Sequence, residues 1–181
     1  MRTIRLTAPL TEEAAAGLRA GDRVLLSGTI YTARDAAHAR LTALIREGRP
    51  LPIPLEGQII YYAGPTPAKP GRVIGSAGPT TSGRMDPYAP LLLERGLGGM
   101  IGKGRRSPAV REACAKYGAV YFAATGGAAA LLSRCITACE ITAWEDLGCE
   151  AVRKLTVKEL PLVVINDVKG NDFYSEQQVT K

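Results

Sequence analysis

Gly98-Gly99-Met100-Ile101-Gly102-Lys103-Gly104-Arg105-Arg106-Ser107-Pro108 carries the chain from a short apolar run, through a glycine-rich basic turn, to the opening of a helix. Ser107 can cap that helix with its hydroxyl, and Pro108 suits the first helical position, where a backbone N–H would have no partner anyway. The pattern predicts a buried strand over 98–101 and a helix from Ser107 and Pro108 to Tyr117. A second apolar run, 119–124, begins directly after Gly118. Strand, helix and strand therefore alternate, as in a layer of parallel strands whose neighbours need a crossover between them.

Outward from this unit the same texture continues. Residues 86–95 read as a helix. Downstream, Gly126-Gly127 turns the chain into a short Ala/Leu helix ending near Cys135, and 138–143 and 160–166 supply two more strands. Towards the N-terminus, 3–6 and 23–31 read as strands around a capped helical turn in Thr11-Glu12-Glu13-Ala14-Ala15-Ala16. Between 34 and 47 the apolar residues Ala37, Leu41, Leu44 and Ile45 share one helical face, and Gly48 and Pro50 end the segment. Residues 58–63 and 72–77 are extended, with the Pro-rich loop Gly64-Pro65-Thr66-Pro67-Ala68-Lys69-Pro70 between them, and are expected to pair as a hairpin. The fold class is α/β, a mixed sheet with flanking helices.

The chain has 181 residues, a suitable length for one domain over 1–181. Apolar residues make up 46% and charged residues 22%, which disfavours disorder, collagen and coiled coil. The longest apolar runs, 128–132 and 160–165, fall far short of the roughly 20 residues that cross a bilayer. The start, Met1-Arg2-Thr3-Ile4-Arg5-Leu6, lacks the continuous apolar centre of a secretory signal, so a cytoplasmic location is expected. Twenty-three basic against 17 acidic residues give a net charge of +6, an attraction for nucleic acid or for small polyanions. The distribution favours the second, because 6% aromatics leave few platforms for stacking bases. Cys114, Cys135, Cys139 and Cys149 form no Cys-x-x-Cys pair, so no metal site is expected in this chain, and they read as small buried thiols.

Four places could carry chemistry. In Gly78-Pro79-Thr80-Thr81-Ser82-Gly83-Arg84-Met85-Asp86, glycines relax the backbone, three hydroxyls supply donors and an arginine stands beside a helix start. Arg84 can grip a carboxylate through two parallel hydrogen bonds; the other reading is a capped turn in which Arg84 pairs with Asp86. The glycine-rich basic turn within 98–107 lacks phosphate-loop spacing, and it reads either as a solvated basic turn or as an anion site lined by Lys103. Thr125 ends a strand before a glycine turn, where open α/β sheets bind ligands, and reads either as a proton carrier or as a cap. His38, beside rather than within an apolar helix face, reads as a proton carrier or a structural hydrogen-bonding group.

Together these segments resemble the beta subunit of the iron-sulfur class I fumarate hydratases and L(+)-tartrate dehydratases. The resemblance rests on Arg34-Asp35-Ala36-Ala37-His38, Tyr61-Tyr62-Ala63-Gly64-Pro65, the Gly78 to Asp86 stretch, Gly102-Lys103-Gly104, Gly126-Gly127-Ala128-Ala129, Glu145-Asp146-Leu147-Gly148-Cys149-Glu150-Ala151 and Lys169-Gly170-Asn171-Asp172-Phe173. It implies a swivelling β/β/α domain that docks on a separate alpha subunit holding a 4Fe-4S cluster. It further implies that Arg84 binds a substrate carboxylate, with Thr80 and Thr81 shaping its loop, Arg134 and Lys154 as further cationic contacts, and a threonine, assigned to Thr125, as the base. The implied assembly is a dimer of heterodimers. The implied reaction is the reversible hydration of fumarate to (S)-malate, with tartrate dehydration to oxaloacetate as the alternative. A non-catalytic anion-binding module of the same fold is a reading of another class.

Overall fold

In the computed structural model, residues 2–125 and 127–176 are described. Seven strands form one sheet: β1 (Thr3–Ala8), β2 (Arg23–Thr32), β3 (Ile59–Tyr61), β4 (Gly99–Gly102), β5 (Val120–Ala123), β6 (Ile136–Ala143) and β7 (Val152–Asn166). The first five run parallel to their neighbours in sequence order, whereas β7 lies antiparallel to both β5 and β2. Because β7 pairs on both edges, β2, β3, β4, β5 and β7 close into a five-stranded ring, with β1 appended to β2 and β6 to β7. A bulge lets β7 make this turn. Leu26 faces Leu160 and Gly28 faces Val157, so Lys158 and Glu159 oppose the single residue Ser27, and Glu159 adopts φ +50°.

Alternation along the strands sorts the core into two layers. Ile59, Tyr61, Ile101, Phe122, Leu155, Val157 and Leu162 fill the ring. Ile60, Tyr62, Met100, Tyr121 and Ile165 point outward against helices α2 (Asp35–Arg46), α3 (Ala89–Glu94) and α4 (Pro108–Tyr117). Both faces of the central strands are therefore covered, which is why β3 and β5 read as unbroken apolar runs. The short helices α1 (Glu12–Ala16), α5 (Ala129–Leu132) and α6 (Phe173–Glu176) complete the chain. Thr11 caps α1 and Ser107 caps α4 through hydroxyls that accept from Ala14 N–H and Val110 N–H. No helix among the described residues is long and apolar enough to cross a membrane.

Three expectations need correction. Residues 58–63 and 72–77 form no hairpin: β3 pairs in parallel with β2 and β4, and 72–77 lies outside the sheet, tied to its loop by a Thr66 N–H bond to the Ser76 carbonyl. The helix expected over 86–95 starts at Ala89 after a 3-10 turn, Ser82–Met85, because Pro90 suits only a helix's first turn. The final strand begins at Val152 rather than near 160. Its first half alternates Leu155 and Val157, inside the ring, with Lys154 and Thr156, outside. Of the Gly126-Gly127 turn, Gly126 lies outside the described residues.

Candidate anion site at the strand ends

Because β2 to β5 run parallel, their carboxyl ends open on one side of the ring, and the loops that leave them meet there. The Gly78 to Arg84 loop lies across two of these ends. Thr80 N–H donates to the Tyr62 carbonyl at 2.6 Å, Lys103 N–H to the Thr80 carbonyl at 3.2 Å, and Ser82 N–H to the Lys103 carbonyl at 2.9 Å. Thr81 and Lys103 thereby pair in parallel, as though the loop were a further strand beyond β4. Gly102 permits this closeness, since a Cβ there would run into Ser82 Oγ. The Ser82 hydroxyl is 2.9 Å from the Tyr121 hydroxyl, which donates to the Gly104 carbonyl at 2.8 Å. Thr80, Thr81, Arg84 and Lys103 are thus assembled in one stitched pair of loops.

Arg84 stands at the edge of this platform, its side chain 53% exposed. Its Nε donates to Asp35 Oδ1 at 2.9 Å, not to Asp86. Asp35 opens α2, and its other oxygen is 3.7 Å from Arg34 Nη2, while Arg34 Nε is 3.8 Å from Glu150 Oε1. Gly64 makes room for Arg34, because a Cβ at 64 would lie 2.8 Å from Arg34 Nη1. Arg84, Asp35, Arg34 and Glu150 therefore form a row of four alternating charges. Three of them were not anticipated as site residues. The Arg34-Asp35 dipeptide at a predicted helix start was the available signal, and its contact with Arg84 spans 49 residues.

Asp86 serves a different arginine. Arg106, whose side chain is fully buried, donates from Nε to Asp86 Oδ1 at 2.7 Å and from Nη1 to the Tyr62 hydroxyl at 3.3 Å, and stacks over the Tyr62 and Tyr121 rings. Asp86 Oδ2 also accepts from Ser107 N–H at 2.7 Å. The solvated-turn reading of this basic stretch therefore fails at Arg106. Burial opposes the charge on its guanidinium, but Tyr62, Asp86 and Tyr121 outweigh that and hold its pKa above the ordinary value. His38 is likewise within the core rather than beside it. Nδ1 lies 2.8 Å from the Arg34 carbonyl, the ring packs edge-on against Tyr62, and burial lowers its pKa to about 4, a poor match for a proton carrier near neutral pH.

Among the described residues no hydrogen bond joins the remaining expected residues, Thr125, Arg134 and Lys154, to that platform. Thr125 is exposed beyond β5 and lines a depression with Thr3, Arg23, Ala123, Pro161 and Val163. Arg134 is exposed on the 3-10 turn Ser133–Cys135, and Lys154 is exposed on β7, paired with Tyr31 on β2 and Glu140 on β6. The cysteines are spread over three environments. Cys114 is buried, and its thiol pKa is pushed up to about 12 by that burial; Cys135 and Cys139 are half-buried; and Cys149 is exposed, contrary to the buried-thiol reading. Among the described residues no three His, Cys, Asp or Glu side chains come together to hold a metal ion. The described cysteines therefore do not fit an iron-sulfur cluster within this chain.

An arginine, hydroxyls and a lysine at the ends of parallel strands make a candidate anion site in an α/β domain. The family profile described as Fumarase C-terminus matches residues 1–177, and the chain belongs to that family. It is 44% identical over 157 residues to fumarate hydratase 1, mitochondrial, of Leishmania major, an alignment covering 85% of this chain and 28% of that protein. It is 45% identical over 157 residues to the anaerobic class I fumarate hydratase of Escherichia coli K12, with the same coverage of 85% and 28%. The chain thus spans less than a third of these fumarate hydratases. It is 38% identical over 173 residues to a candidate L(+)-tartrate dehydratase subunit beta of Methanocaldococcus jannaschii, covering 92% of this chain and 89% of that protein.

Proposed function

We propose that this chain is the beta part of an iron-sulfur hydro-lyase that interconverts fumarate and (S)-malate, and that its role is to grip the dicarboxylate while an alpha partner carries the 4Fe-4S cluster. The observation that carries the reading is Arg84, an exposed guanidinium fixed at the strand ends of a domain 45% identical to a class I fumarate hydratase. Removing a carbon-bound proton from malate leaves negative charge on the adjoining carboxylate. The free N–H groups of Arg84 can answer that charge with two parallel bonds, and Lys103 and the hydroxyls of Thr80 and Thr81 offer further donors around it. Thr125 as the base, and Arg134 and Lys154 as added cationic contacts, are proposals from resemblance, each open to the same assay after single substitution.

The test is anaerobic mixing of this chain with a cluster-loaded alpha subunit. Hydratase activity is expected from the mixture, none from this chain alone, and loss on exposure to air; oxygen-stable activity from the isolated chain would falsify the reading. In the mixture, Arg84→Ala is expected to lower turnover by roughly 30-fold to 1,000-fold, about 2 to 4 kcal/mol. The high mutual coverage with the archaeal tartrate dehydratase beta subunit favours tartrate as the second substrate reading. Ranking malate, tartrate and methyl-substituted fumarates with the reconstituted pair decides between them. We further propose a cytoplasmic location, which fractionation of cells tests, and a dimer of alpha–beta pairs, which sedimentation of the reconstituted enzyme tests.

A further inference from the structure

We propose that Asp35 is a positioning residue for Arg84, an assignment that rests on the reading of Arg84 as the carboxylate grip. A guanidinium offers five N–H donors in a rigid fork. Asp35 Oδ1 engages the one on Nε, at 2.9 Å. This leaves the two terminal nitrogens, the pair best matched to a carboxylate, unengaged by any described side chain. Arg84 is a long side chain more than half exposed, and without a fixed contact its tip would sample many rotamers. One carboxylate on Nε removes much of that freedom without occupying the end of the fork.

Asp35 is itself held from two directions. It is the first residue of α2, and the carbonyl of the preceding residue, Arg34, accepts from His38 N–H at 2.8 Å. The buried His38 ring packs on Tyr62 at 5.2 Å, and the Tyr62 carbonyl accepts from Thr80 in the Arg84 loop. The start of α2 and the Arg84 loop are therefore referenced to the same tyrosine. Arg34, 3.7 Å from the second carboxylate oxygen and 3.8 Å from Glu150, sets a countercharge behind Asp35. Glu150 in turn follows Cys149, whose carbonyl accepts from Arg153 Nη1 at 3.2 Å.

The pairing has two opposed effects on an anionic substrate. Asp35 orients Arg84, which aids the transition state, but its negative charge weakens the attraction that Arg84 exerts on a dianion. The two effects separate by substitution. Asp35→Asn keeps an oxygen that can accept from Nε and deletes the charge; Asp35→Ala deletes both.

The experiment is steady-state fumarate hydration by the anaerobically reconstituted pair. Asp35→Asn is expected to keep kcat within about threefold of the parent with KM equal or lower. Asp35→Ala is expected to lose about tenfold in kcat, the scale of one hydrogen bond to a charged group. In the Arg84→Ala background, Asp35→Ala is expected to cost nothing further, because the side chain it positions is gone. Equal losses in the two backgrounds, or an asparagine variant as slow as the alanine variant, would overturn the assignment. If Asp35→Ala does not fold, Asp35→Ser keeps a short polar side chain at the helix start that does not reach Arg84, and is expected to show the same loss and the same non-additivity. A slow Arg84→Ala beside an unchanged Asp35→Ala defeats this assignment alone, whereas an unchanged Arg84→Ala defeats the carboxylate grip together with it.

Discussion

Two arginine–aspartate pairs sit close together in this fold with nearly the same geometry and opposite surroundings. Arg106 donates from Nε to Asp86 at 2.7 Å with its side chain wholly buried, and Arg84 donates from Nε to Asp35 at 2.9 Å with its side chain 53% exposed. Burial, not the pairing itself, divides their roles. The inner pair has exchanged water for Tyr62, Tyr121 and the Ser107 N–H, so it holds the β4–α4 turn to the Arg84 loop and has no access to a ligand. The outer pair keeps water and free donors at the same loop, as a binding group must.

The largest expected effect breaks the inner pair. Asp86→Ala leaves a buried guanidinium without its carboxylate, which is expected to destabilise the protein by about 3 to 5 kcal/mol in chemical denaturation. A denaturation midpoint equal to the parent's would show that the Tyr62 and Tyr121 contacts suffice and that the inner pair is not what joins the loops.

Next in size is a pH effect at His38, which lies between the pairs: burial first and then Arg106 lower its pKa, while the Arg34 carbonyl and Asp35 raise it. Its folded value of about 4 is below the unfolded 6.5, so between those values the unfolded chain binds the additional proton. Stability is therefore full above about pH 6.5 and falls as the pH drops towards 4, by on the order of 3 kcal/mol. His38→Gln is expected to flatten that part of the stability–pH profile; an unchanged slope would assign the acid sensitivity to other groups.

The legibility of the two pairs in sequence differed for a physical reason. Strand and helix periods and the Ser107-Pro108 cap are local, and they exposed β4, α4 and β5 with boundaries close to those observed. The loop of Thr80, Thr81 and Arg84 was legible as a candidate anion platform because glycine, hydroxyls and a cation are concentrated in a few residues. The partners were not. Asp86 is two residues from Arg84 and local spacing favoured that pair, yet ring closure brings Asp35 to Arg84 and Arg106 to Asp86 across 49 and 20 residues. The first half of β7 was missed because Arg153, Lys154, Lys158 and Glu159 dominate its composition, while its inward Leu155 and Val157 are few. His38 was misplaced at the edge of a helical face because the covering rings of Tyr62 and Tyr88 come from outside that helix.

The smallest expected effect on stability is at the outer pair, and it separates the two pairs most sharply. Exposed ion pairs contribute about 0.2 to 1 kcal/mol, and salt screens them. Arg84→Ala is therefore expected to shift the denaturation midpoint by no more than this, and the shift is expected to shrink further at 1 M salt, where the screening length is about 3 Å. Asp86→Ala is expected to keep most of its loss at the same salt, because its partner is out of water. A large, salt-resistant loss at Arg84 would mean that it too is structural, and the rate loss in the reconstituted enzyme would then measure a damaged loop rather than a missing grip. A small, salt-sensitive loss accompanied by a large fall in turnover is the combination that only a side chain held at the surface for a charged ligand produces.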